Sequence, residues 1–205
     1  NGYLFVNGQI RRSLTISSGS LNYSQSGNST VIIDGRAASN TRAMFEILND
    51  GIFNMSGGTL TISRNFNNAS YNELYINPAS YAVTGGTVRL GSAAAASGSS
   101  FNFVSLAPLW NLIIDATTTT KIANLRVSSL NVLNNLTIEG NSEFHANSFD
   151  VNIGGNLVNN NLNSGSGIST VPSLLLIQAL DIPPSKIFDI FPDFPSAYFH
   201  SVKRL

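Results

Sequence analysis

The chain has 205 residues, with Lys+Arg and Asp+Glu balanced at 11 each, so no long-range field draws it to nucleic acid or to an anionic membrane. Hydrophobic residues make up 42%, enough to fill a core, while charged residues make up only 11% and cysteine is absent, which excludes a disulfide-stapled framework. No run approaches the roughly 20 apolar residues of a membrane-spanning helix, and Leu174-Leu-Leu-Ile177 falls far short.

Asn and Ser together supply about a quarter of the residues, and their short side chains serve turns better than helices. In chain order, Leu4-Phe-Val6, Ser13-Leu-Thr-Ile16 and Thr30-Val-Ile-Ile33 read as short strands: alternating Thr, Val and Ile between Gly, Ser and Asn clusters. The last two align at a step of 17 residues, Leu14 with Val31 and Ile16 with Ile33. The alternation is already running at Leu4, which reads as an internal piece of a longer chain or as one whose leader has been removed. Residues 36–50 are the least strand-like part of this half. Met44, Ile47 and Leu48 sit at helical spacing behind Thr41, but a loop leading into a strand at Phe45–Leu48 fits better.

The clearest repeat comes next. Phe53-Asn-Met55-Ser-Gly-Gly-Thr-Leu60-Thr-Ile62 returns 28 residues later as Tyr81-Ala-Val83-Thr-Gly-Gly-Thr-Val88-Arg-Leu90. Each copy is an alternating strand, a Gly-Gly corner and a second alternating strand, the mark of stacked repeats. The segment from about 64 to 79 between them is read as an inserted loop that lengthens one coil. Residues 93–100, rich in Ala and Ser, are read as a flexible link, with strands resuming at Phe101-Asn-Phe-Val104.

Over residues 109–162 the apolar positions recur at 18 and then 19 residues, from Leu112 to Leu130 to Phe149. The step of 19 also carries Leu125 to Phe144, Val132 to Val151 and Ile138 to Leu157. The expected fold is all-β: a parallel β-helix, or β-solenoid, over residues 1–180 with about 17–19 residues per coil, whose inner side chains stack at about 4.8 Å. A β-sandwich is the alternative. Val171–Ile177 would close the stack. Residues 181–205 form a separate tail or cap: four prolines between Ile182 and Pro195 deny the ladder its N–H donors.

The Gly-Gly-Thr corners at 57–59 and 85–87, with the phrases Leu130-Asn-Val132, Asn135-Leu-Thr-Ile138 and Gly154-Gly-Asn-Leu157, resemble the repetitive regions of large secreted surface proteins of Bacteroidota. The similarity covers residues 13–163, about three quarters of the chain. It implies an adhesin-like protein exported by the type IX route, extracellular and held at the bacterial cell surface. Residues 181–205 do not resemble that family's C-terminal sorting domain.

Parallel β-helices also carry polysaccharide lyases and hydrolases, which place carboxylates on adjacent coils. The acidic residues here form no Asp-x-Asp pair, and at a step of 18–19 the partners of Asp115 are Leu133 and Asn134, neither a carboxylate. Glu139 and Glu143 read as solvated turn residues, and His145 as an outward strand residue that makes a poor metal site alone. Thr117–Thr120 would suit a water-ordering array, but the Thr pattern does not propagate to the next coil. No catalytic residue, metal ligand or cofactor site is assigned. Trp110 reads as a core or corner residue. Tyr71, Tyr75 and Tyr81, around the inserted segment, are the candidate binding surface, with glycans or other cell-surface molecules as ligands and neighbouring repeats of a longer chain as partners. A fragment of a carbohydrate-active β-helix enzyme is the alternative function.

Overall fold

A computed structural model describes residues 2–12, 19–34, 43–65, 72–115 and 120–160, and the backbone of 168–169 and 175–177. Every strand pairing within it is parallel, and the strands form three sheets around one apolar core. The first sheet runs β1 (Tyr3–Val6), β3 (Thr30–Ile33), β5 (Ile52–Ile62), β7 (Ser80–Leu90), β9 (Asn111–Ile114), β12 (Leu136–Ile138) and β15 (Leu157–Asn159). The second is β4 (Phe45–Ile47), β6 (Leu74–Ile76), β8 (Ser99–Ser105), β10 (Lys121–Leu125), β13 (Glu143–His145) and β16 (Ile168–Ser169). The third is β11 (Leu130–Val132), β14 (Val151–Ile153) and β17 (Leu175–Ile177), while β2 (Asn22–Gln25) pairs with the first half of β5. The chain is a parallel β-solenoid, and a sandwich of antiparallel sheets is ruled out by the pairing.

The core is a set of vertical columns. On the first sheet Leu4, Val31, Leu60, Val88, Leu112, Leu136 and Leu157 stand in register, one per coil. Alternation drives this: Leu60 and Ile62 point in and are fully buried, and so are their neighbours on the next strands. Each burial of such a side chain stabilises by about 1.5–3 kcal/mol. At the first edge the column ends on Leu4, still 49% exposed.

Coil length corrects the sequence reading. Steps along that column are 27, 29, 28, 24, 24 and 21 residues, not 17–19. Val31 stacks on Leu4, and Leu14 lies outside the described residues. The step of 19 misses the true 21 by two: Leu130 pairs with Val151, Val132 with Ile153, Leu136 with Leu157 and Ala123 with Phe144. A slip of two keeps every side chain on its own face, so apolar still falls on apolar and the error is invisible to pattern matching. Leu112 and Leu130 belong to different sheets of the tube, and Phe149 to a turn.

The 28-residue repeat is in register as read, from Phe53 on Tyr81 to Ile62 on Leu90. Each copy is one long strand bent at its Gly-Gly corner, where the register shifts between Met55 and Thr59. A Cβ on Gly57 would lie 2.5 Å from the Gly27 carbonyl oxygen of the coil below, and Gly58 has φ +78°. No other residue type fits that corner without displacing backbone. The first halves of β5 and β7 thereby take the place in the coil that the third sheet takes later.

The segment 64–79 is not wholly a loop. Its end contains β6, whose Leu74 and Ile76 are buried and pair with both β4 and β8. Within 93–100, Ala95 is buried in the core and Ser99 already belongs to β8. Phe45–Ile47 is strand, and the alternative helix does not form over the described residues 43–50. Residues 181–205 lie outside the described residues.

Candidate functional site

The register brings polar residues together that the sequence step had kept apart. Just past each strand of the first sheet, one residue turns the corner towards the second: Asp34, Ser63, Gly91, Asp115, Glu139 and Asn160. Each donates its backbone N–H to the carbonyl that ends the strand one coil earlier, so the six form a single column. At a step of 24, the partner of Asp115 is Glu139. The sequence reading of an unpaired Asp115 and a solvated Glu139 is therefore corrected.

Arg89 closes this corner. It stands on the outer face of β7, between buried Val88 and Leu90, and its guanidinium donates to Asp115 Oδ1 at 2.5 Å and to Glu139 Oε2 at 2.6 Å. The two carboxylate oxygens are thus no more than about 5 Å apart. Asp115 is 1% exposed. Burial pushes the Glu139 carboxyl above its usual range, opposed by Arg89 and reinforced by the neighbouring Asp115. Behind the pair Lys121 is fully buried, and burial lowers its amine below the usual range, partly offset by Asp115. Ser142 locks this inner layer: its hydroxyl accepts from the Lys121 N–H at 2.9 Å and donates to the Asp115 carbonyl at 3.0 Å. One coil group earlier, Arg64 pairs with Asp34 at 2.9 Å and the Ser63 and Ser92 hydroxyls meet at 2.7 Å.

Asparagine explains itself in the same geometry. Asn134 donates its side-chain amide to Asn111 Oδ1 at 2.9 Å, which also accepts from the Asn135 N–H, and Asn135 Oδ1 accepts from the Asn156 N–H. On the second sheet Asn124 donates to Asn102, and on the third Asn152 donates to Asn131. These amide ladders link successive coils on all three sheets.

Of the three tyrosines, Tyr71 lies outside the described residues. Tyr75 sits on β6, half-buried, level with Glu46 and Val104, and its hydroxyl accepts from Asn77 at 3.5 Å. Tyr81 is 54% exposed on the first half of β7, the outermost rung of a column that begins with Tyr23 and Phe53. Below it Tyr23 stacks on Phe53 at 5.9 Å and meets Phe45 edge-on at 4.9 Å. Tyr75 and Tyr81 thus stand on different sides of the tube and form no shared platform. Trp110 is a half-buried corner residue whose carbonyl accepts from Asn134. His145 points outward beside Glu143, with 2.8 Å between Nε2 and Oε2.

Among the described residues no three His, Cys, Asp or Glu side chains gather as a metal site would need. Comparison with protein-family models, with curated proteins and with solved structures finds no match for this chain.

Proposed function

We propose that the chain is a non-enzymatic structural and adhesive segment of a bacterial secreted or cell-surface protein, a rigid rod that presents a binding surface away from the cell. The observation that carries this reading is the continuity of the columns: aliphatic inside, amide ladders and an ionic corner along the flanks, each spanning several coils. Such an arrangement fixes the relation of one coil to the next, which is what a spacer must do. Low charge and the absence of cysteine suit an extracellular bacterial setting. The resemblance to Bacteroidota adhesin-like repeats supports the same setting and the type IX route. Among the described residues β1 pairs on one side alone, with β3, and a neighbouring coil of a longer chain would add on the other. Glycans are the favoured ligands, and exposed Tyr81 is the residue best placed to stack on a sugar ring. A glycan array tests this: binding that falls at least about tenfold in Tyr81→Ala, with the fold intact, is the expected result, and binding unchanged by that substitution removes Tyr81 from the surface.

One observation favours the second reading, a carbohydrate-active enzyme fragment. The Asp115 and Glu139 carboxylate oxygens share one Arg89 nitrogen and so lie no more than about 5 Å apart, inside the roughly 5–5.5 Å between the carboxyl groups of a retaining glycosidase. Against it, Asp115 is buried and both groups are bound by the same arginine, which suits a structural ion cluster. Release of sugar fragments from polysaccharide by the chain, abolished in Glu139→Gln, would overturn the rod reading.

A further inference from the structure

The first strand of the first sheet carries two aromatic rings that the core does not use. Leu4 and Val6 belong to the inner columns, so alternation turns Tyr3 and Phe5 to the outer face of β1, where they are 68% and 51% exposed. The step of two residues sets them about 6.6 Å apart along the strand. Behind them the outer face is regular. Thr30, Thr59 and Thr87 follow Tyr3 in register, one per coil, and Ile32 and Thr61 follow Phe5. Arg89 comes next in the Phe5 column, but its guanidinium is held by Asp115 and Glu139. From Gly2 to Ile10 and from Ser26 to Ile33 the sequence has no charged residue. The face is therefore regular and uncharged, aromatic at its first rung and threonine-bearing behind it. Exposed apolar side chains gathered on a polar surface mark interaction sites.

We propose that Tyr3 and Phe5 form a sugar-binding platform, which takes a neutral polysaccharide laid along β1 with pyranose rings stacked on the two side chains. A pyranose has a face of C–H groups and a rim of hydroxyls. The C–H groups carry slight positive charge and pack on the negative face of an aromatic ring, while the rim can exchange hydrogen bonds with the threonine hydroxyls. With no charge to attract an acidic or a basic ligand, the face favours a neutral polymer. Two rings fixed on one strand of a packed sheet lose little freedom when the ligand arrives. The placement also survives extension of the rod, because a coil added beside β1 would pair with its edge and leave its outer face open. The proposal rests on the reading of the chain as a glycan-binding rod, and differs from it in place: Tyr81 is a single ring on another side of the tube.

Migration of the full chain through native gels containing hydroxyethyl cellulose, xylan or galactomannan tests the platform. Retardation by at least one of the three is expected, weakened at least about tenfold in Tyr3→Ala and in Phe5→Ala and retained in Phe5→Trp. Tyr81→Ala, on a different side, should stay within about twofold of the parent. Both rings lie outside the core, so the two alanine variants should unfold at the parent's denaturant midpoint. Retardation that Tyr3→Ala and Phe5→Ala leave unchanged would overturn the platform and leave the glycan-binding rod standing. No retardation of the parent in any gel would also overturn the platform, while the rod reading would fall only if a glycan array were blank too. If Phe5→Ala instead turns a dimeric parent into a monomer, the rings serve a contact between copies and the proposal fails.

Discussion

The coils before Leu90 and those after it solve the same problem in different ways. The earlier ones use 27–29 residues, run two sides together as a single bent strand, and turn on Gly-Gly corners packed against backbone. Their interior holds a cluster of rings, Tyr23, Phe45 and Phe53, among aliphatic side chains. The later coils use 21–24 residues, separate their sides with turns at Asn134–Asn135 and Gly154–Gly155, and hold coil to coil with side-chain amides. Rings fill the later interior too, where Phe101, Phe103 and Phe144 are buried among Leu, Ile and Val. The contrast therefore lies in how the coils turn and in how one is tied to the next.

The comparison can be broken at the interior first. Phe53→Ala should cost about 4 kcal/mol and Leu130→Ala about 3, read from denaturant midpoints, because both are fully buried but the ring leaves the larger void. Equal losses would mean that the wide coils collapse around the gap. Next is the corner that joins the two regions. Arg89→Met leaves two adjacent carboxylates without their guanidinium and should cost about 3 kcal/mol at neutral pH, with much of the loss recovered in acid as they protonate. A loss independent of pH would show that Arg89 acts through packing alone.

Smaller still is the amide ladder. Asn134→Ala should cost about 1 kcal/mol in thermal or denaturant unfolding, the worth of one hydrogen bond, and should affect the later coils alone in exchange experiments. The smallest effect is that of Glu139→Gln. The folded carboxyl titrates above its ordinary value, so its contribution to stability is fully present below the unfolded value and is lost as pH rises through the folded one. Gln cannot titrate, so the variant should show a flatter fall in stability from acid towards neutral pH. A slope identical to the parent's would place Glu139 in an ordinary solvated environment.

The two regions also differed in what their sequences disclosed. The wide coils announce their step, because two ten-residue phrases with identical Gly-Gly-Thr centres match in only one way, and 28 is the observed spacing of Phe53 and Tyr81. The narrow coils conceal theirs. Leu130, Val132, Phe149, Val151 and Ile153 match equally well at 19 or 21, since alternation is indifferent to slips of two. That ambiguity hid the corner as well: Asp115 finds Glu139 only at a step of 24, and Arg89 lies 26 residues before Asp115 with nothing local to connect them. Tyr81 was legible as an exposed aromatic, whereas Tyr75 was not separable from it until β6 proved to be a strand of the second sheet.

In a tube of this kind the backbone hydrogen bonds point along the long axis, so a tensile load pulls them lengthwise and passes through every rung in turn. Resistance to bending comes from the whole cross-section, but resistance to stretching is set by the weakest single ring. Under pulling from one end the molecule should peel ring by ring, releasing about 7–10 nm of chain at each step, with the longer increments from the Gly-cornered half.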